Sequence, residues 1–245
     1  MKRGIICLLL LCLWAAWTYA ADTNTVRFKF KAIGSEAFSG LCYQNYPDGL
    51  EQPPVFASMG TVAVGFSREF EYTGPATIRF FQRKKDDETP RLLASFDTKR
   101  LKNGCVFVFF YDFTDTADKP ILQIIPVNDM GTSCSDGEIV FYNFSKIPLA
   151  GSIGKNIFRP VPARTQPLKG FNNFRMEIYS LWTEQNKVVP VCIRTMSLSK
   201  GFRYFGFFYP EFKKTKNAPP AVRVRFIVEM LDEKLIESLM TAEMQ

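Results

Sequence analysis

With 245 residues, 47% of them apolar and 15% aromatic, the chain has ample material for a sizeable core. It contains no histidine, which excludes Ser-His-Asp and Cys-His catalysis and any histidine-ligated zinc or copper site. A formal charge of +7 favours anionic surfaces, but no nucleic-acid-binding motif accompanies it, so nucleic acid is not an expected partner.

The N-terminus reads as an export signal, residues 1–20. Lys2 and Arg3 form its charged start, Ile5–Trp17 its apolar stretch, and Thr18-Tyr19-Ala20 a small-x-small site before Ala21. Thirteen helical residues span about 20 Å, short of a ~30 Å hydrocarbon core. Cleavage after Ala20 and a periplasmic or extracellular product are therefore expected, with no transmembrane segment afterwards. Loss of Lys2 and Arg3 lowers the charge to +5, and the segment from Glu229 onward carries −4, leaving a body near +9. An envelope protein or an anionic polysaccharide is the partner class this charge suits.

Val26–Lys31 alternates apolar and basic residues, the period-two pattern of a strand with one dry and one wet face. Thr61–Tyr72 and Thr77–Gln82 read as further strands, and Arg83–Glu88 as a solvated hairpin tip. Gly104–Tyr111 is apolar on both faces, as a central strand should be, and Ile121–Val127 closes this half. The pattern then restarts. Ile139–Tyr142 matches the first strand but is apolar on both faces, which predicts that the other half covers it. Phe141 leads to Gly151 by the same ten-residue step that takes Phe30 to Gly40. Arg175–Tyr179 answers Thr77–Gln82, Gly201–Tyr209 answers Gly104–Tyr111, and Ala221–Val228 answers Ile121–Val127.

These matches predict an all-β protein of two tandem immunoglobulin-like antiparallel β-sandwich repeats, 21–127 and 136–228. Asn128–Ser135, polar and glycine-containing, reads as the linker. Residues 229–245 read as an amphipathic helix and tail, with Leu231, Leu235 and Leu239 along one stripe.

Cys7 and Cys12 lie in the signal, which leaves Cys42, Cys105, Cys134 and Cys192. Four cysteines in an oxidising compartment allow three pairings. The repeat favours Cys42–Cys105 and Cys134–Cys192, each worth about 4 kcal/mol in the chain-entropy model. Buried free thiols are the alternative.

Little else points to chemistry. No GxGxxG, Walker A or GxSxG motif is present, no cysteine pair has zinc-ligand spacing, and no cofactor is expected. Carboxylate pairs such as Asp86-Asp87 or Glu69/Glu71 lie in charged turns or on wet faces, so no catalytic residues are assigned. Asn143-Phe144-Ser145 fits the glycosylation pattern but lies beside an apolar strand, which favours a chance match. Tyr43, Tyr46 and Trp182, next to polar turns, are candidates for stacking on sugar rings.

The run GEIVFYNFSKIPLAGSIG, with the downstream phenylalanine-rich strand, resembles exported β-sandwich proteins of environmental bacteria that carry no known activity. The resemblance covers most of the second half and implies a β-sandwich, but no site residues. The expected role is non-catalytic surface interaction in the periplasm or envelope, with glycan binding through loop aromatics as the alternative.

Overall fold

The computed structural model describes residues 23–33, 39–60, 65–83, 89–112, 121–145, 147–158, 164–169, 172–182, 187–210 and 222–231. The export signal, Asp86-Asp87 and most of the expected C-terminal helix lie outside them. Within them the chain is all-β, with a single 3-10 turn at Thr98–Arg100 and no α-helix. The first eight strands are β1 (Asn24–Ile33), β2 (Leu41–Asn45), β3 (Val55–Ser58), β4 (Phe70–Gly74), β5 (Thr77–Gln82), β6 (Arg91–Asp97), β7 (Cys105–Asp112) and β8 (Ile121–Val127). The second eight are β9 (Glu138–Asn143), β10 (Leu149–Ile153), β11 (Asn156–Phe158), β12 (Leu168–Lys169), β13 (Phe174–Trp182), β14 (Lys187–Met196), β15 (Phe202–Pro210) and β16 (Val222–Met230).

The second set repeats the sheet order of the first. The first eight strands lie in sheets ordered β4-β1-β7-β8 and β3-β2-β5-β6; the second eight lie in sheets ordered β12-β9-β15-β16 and β11-β10-β13-β14. β1 runs parallel to β7, and β9 runs parallel to β15. Parallel neighbours need a long crossover; here the crossover is the intervening run of strands, most of which lie in the other sheet.

Even the irregularity is shared. The β5–β6 ladder slips between Phe80 and Phe81, leaving Leu93 extra, and the β13–β14 ladder slips between Ile178 and Tyr179, leaving Val191 extra. Bulges of this kind re-aim a strand at a fixed place. These registers set Tyr43, opposite Phe80, in the place of Gly151, opposite Ile178. The Gly40–Gly151 match is thus three residues out of register. Each glycine is required for its own reason: a Cβ on Gly40 would meet the Arg83 carbonyl oxygen, and one on Gly151 the Glu177 carbonyl oxygen.

The strand order also differs from the immunoglobulin one. An immunoglobulin constant domain joins its first, second, fourth and fifth strands in one sheet. Here the first strand shares a sheet with the fourth, seventh and eighth. Strand count and turn spacing suggested the class, but neither says which strands pair.

Two compact units divide the chain. One comprises Met1–Val26, Gly40–Met59 and Glu71–Leu101; the other comprises Arg27–Ser39, Gly60–Phe70 and Lys102–Gln245. The first holds the β3-β2-β5-β6 sheet. Its fixed points include Tyr72, fully buried, whose hydroxyl donates to the carbonyls of Pro75 (2.8 Å) and Thr77 (3.0 Å).

In the second unit β9 is the middle layer, buried along its whole length. Ile139 and Phe141 join one core with Met176, Ile178 and Phe208, so the β9 and β13 sheets form a sandwich. Val140 and Tyr142 join another with Val106, Val108, Phe110, Phe205 and Phe207, so strands of the first set cover the opposite face, as the two-sided apolar pattern predicted. Gly206 allows the Phe141 ring to lie on β15, where a Cβ would collide with the ring.

Three local expectations change. Thr61–Tyr72 is not one strand: Gly65–Glu69 is irregular, Ser67 bonds Phe30 through both its amide and its hydroxyl, and β4 begins at Phe70. Asn128–Ser135 is built into the core, with Met130 and Cys134 packed between the sheets. Glu229 and Met230, assigned to the helix, end β16 opposite Arg203 and Phe202. No helix among the described residues is long and apolar enough to cross a membrane.

Candidate binding surface

The cysteines are free thiols, so the expected Cys42–Cys105 and Cys134–Cys192 bridges are absent from the structure. Each thiol is committed to its own surroundings. Cys105 is fully buried at the start of β7, and burial pushes its thiol up to about 12. Burial raises Cys42 as well, and its thiol lies 3.8 Å from the Phe81 carbonyl. Cys134 donates to the Glu138 carbonyl at 3.1 Å and is likewise raised by burial. Cys192 sits on β14 opposite Ile178 and is half-buried. Exchange proceeds through thiolates, so all four are poor partners for oxidation. Alkylation with iodoacetamide should label all four of Cys42, Cys105, Cys134 and Cys192 after denaturation and, of these, no more than Cys192 in the folded protein; mass spectrometry reads both. Fewer than four after denaturation, restored by reductant, would establish a bridge.

The aromatic candidates separate. Tyr43 is buried, and its hydroxyl donates to the Glu71 carbonyl at 3.0 Å, so it is a core residue and not a platform for sugars. Tyr46 is half-buried, and its backbone N–H donates to the Thr73 carbonyl at 2.7 Å. Trp182 is the last residue of β13, opposite Lys187, in the other compact unit. The glycosylation pattern fails on burial: the Asn143 amide donates to the Ile147 carbonyl at 2.7 Å and is 2% exposed. Glu69 and Glu71 are exposed.

Two polar groups pin the edges of the inner layers. Glu229 accepts from Lys29 (3.2 Å) and Arg203 (2.5 Å), and Arg203 also donates to the Gly131 carbonyl. At the equivalent place in the first set, Asp129 pairs with Arg164, while Tyr142 bonds Ser133 at 2.8 Å. Burial, ahead of its other influences, pushes the Tyr142 phenol up to about 12. Such a phenol is no proton donor or nucleophile near neutral pH. Both groups are structural.

What remains is the outer face of the β11-β10-β13-β14 sheet. On β13, Arg175, Glu177, Tyr179 and Leu181 alternate with the core residues Phe174, Met176 and Ile178. Arg175 Nε lies 2.6 Å from Glu177 Oε1, and the Tyr179 hydroxyl donates to Glu177 Oε2 at 2.8 Å. Beside them on β14 stand Val188 opposite Leu181, Pro190 opposite Tyr179, and Ile193 opposite Glu177. Four large aliphatics are exposed here: Ile157 (84%), Val188 (60%), Ile193 (51%) and Leu181 (38%). Among the described residues no three of Cys, Asp and Glu gather as a metal site.

Neither the known family models nor the curated proteins include a match to this chain. Its function must be argued from this surface. Sequence reasoning missed it because its signal is small. Outward aliphatics on β14 read as ordinary strand vocabulary until the partner strand's face is known.

Proposed function

We propose that this is an exported, non-catalytic protein of the periplasm or envelope, built by tandem duplication of one eight-stranded unit and acting by surface contact. The duplication reading is supported by the repeated sheet order and by the bulge repeated at Leu93 and Val191. The observation that carries the binding reading is the row of exposed aliphatics on one rigid sheet face, Leu181, Val188 and Ile193 with Tyr179 between them. Contiguous apolar surface on a soluble fold marks interaction sites.

Glycan binding is the second reading, and Tyr179 favours it. A half-exposed ring flanked by a carboxylate and a guanidinium presents both stacking and hydrogen bonding. A panel of cell-wall and plant polysaccharides separates the two readings. Under surface contact with protein, intrinsic fluorescence stays unchanged across the panel; under glycan binding it shifts, and Tyr179→Ala abolishes the shift. N-terminal sequencing of secreted material should begin at Ala21, and retention of residues 1–20 would count against a cleaved signal.

A further inference from the structure

We propose that β14 is an acceptor edge, to which a partner protein adds an extended, acidic, aliphatic strand. This inference rests on the binding reading above and names its partner class. Among the described residues β14 is the outermost strand of its sheet and pairs on one side, with β13. Edge strands are ordinarily protected by charge, brevity or proline. Pro190 and the bulge at Val191 protect the first part of β14, but Cys192–Met196 then pairs regularly with β13, one residue against one. Among the described residues that regular run has no ladder on its other edge, which suits strand addition, the mode in which main-chain bonds give affinity and alternate side chains give selectivity.

The side chains beside that edge are not what the fold requires. The matching registers set Ile193, opposite Glu177, in the place of Ser95, opposite Arg79, and Thr195 in the place of Asp97. The first set therefore carries polar and acidic residues where the second carries an aliphatic residue and a threonine. A half-exposed isoleucine at such a place is an option the second set has taken, not a need of packing.

Charge selects among occupants. Within Cys192–Met196 the one charged residue is Arg194, at its centre, whose guanidinium lies over the Phe226 ring 4.9 Å from its centroid. A second copy pairing antiparallel with this five-residue run, centred on it, would set Arg194 opposite Arg194 with no acid in the run to answer them, and like charges opposite one another destabilise a strand pair. A strand alternating aliphatic residues with Asp or Glu meets Ile193 with the first and Arg194 with the second.

The test is selection of a random decapeptide display library on the full chain, with the exposed double variant Val188→Asp/Ile193→Asp as counter-selection. Enriched peptides should alternate aliphatic and acidic residues and bind the native chain at least tenfold more tightly than the variant. They should slow amide exchange within Cys192–Met196, and methylation of their backbone nitrogens should abolish binding. Circular dichroism of the variant checks that it folds. Peptides that bind native chain and variant alike overturn the β14 inference but leave a binding protein standing. Enrichment of basic peptides, or self-association through β14 detected by sedimentation, overturns the choice of partner. Absence of any peptide together with silence across the glycan panel overturns both readings.

Discussion

Phe207→Ala should cost the fold about 3–5 kcal/mol, the range for emptying an aromatic site in a closed core. Phe207 is fully buried on β15, and its ring packs on Tyr142 (5.6 Å between centroids) and Phe144 (5.8 Å). Phe144 in turn stacks on Phe110 of β7, at 5.6 Å and 11° between planes. The ring is therefore one link in a stack that ties the inner strands of the second set to those of the first. Against a total stability of about 5–15 kcal/mol, the loss is a large fraction. Urea titration followed by circular dichroism reads it as a lower midpoint; a change below about 1 kcal/mol would mean that the ring is not a core residue.

Lys31→Met should act in the opposite direction. Lys31 is 2% exposed on β1, and its amine is lowered from 10.5 to about 8, first by burial and then by the Arg225 guanidinium. In the unfolded chain the amine keeps its ordinary value. Below about pH 8 both states hold the proton, and burial of the cation weighs against folding. Between about 8 and 10.5 only the unfolded chain holds it, so native stability rises with pH across that window. Above 10.5 the cost is gone. The lowering corresponds to roughly 3 kcal/mol, and replacing buried ion pairs by apolar residues is often neutral or stabilising, by up to about 4 kcal/mol. Methionine at 31 should therefore raise the urea midpoint at pH 7, and the gap between variant and native chain should close as pH approaches 10.5. A variant less stable at pH 7, or a gap that stays constant with pH, would show that the native amine is fully compensated.

Lys31 also shows where strand patterning misleads. Val26–Lys31 alternates apolar and basic residues, and a single sheet on a single core would put the lysines in water. The wet face is covered because a second set of strands packs there, and the local pattern cannot see a layer contributed from a hundred residues away. Ile139–Tyr142 was more informative, since an apolar run on both faces demands two covers, and it has them. The central strands β7 and β15 were legible for the same reason. Thr61–Tyr72 was not, because the hydroxyl of Ser67, rather than a ladder, organises Gly65–Glu69. Of the candidate site, Tyr43 looked like a turn aromatic and is core, since whether a strand end faces in or out depends on its register with β5. The β14 edge was invisible for a complementary reason: exposure there is decided by which strand lies outermost.

The stack linking Phe110, Phe144 and Phe207 bears on how the chain is made. Synthesis delivers the N-terminus first, and Val106, Val108 and Phe110 are finished long before residues 138–208 exist to cover them. During that interval the nascent protein presents a greasy slab, the kind of surface on which holding chaperones act. A message cut short after residue 127 would yield a product that is sticky from birth, not half of a working molecule.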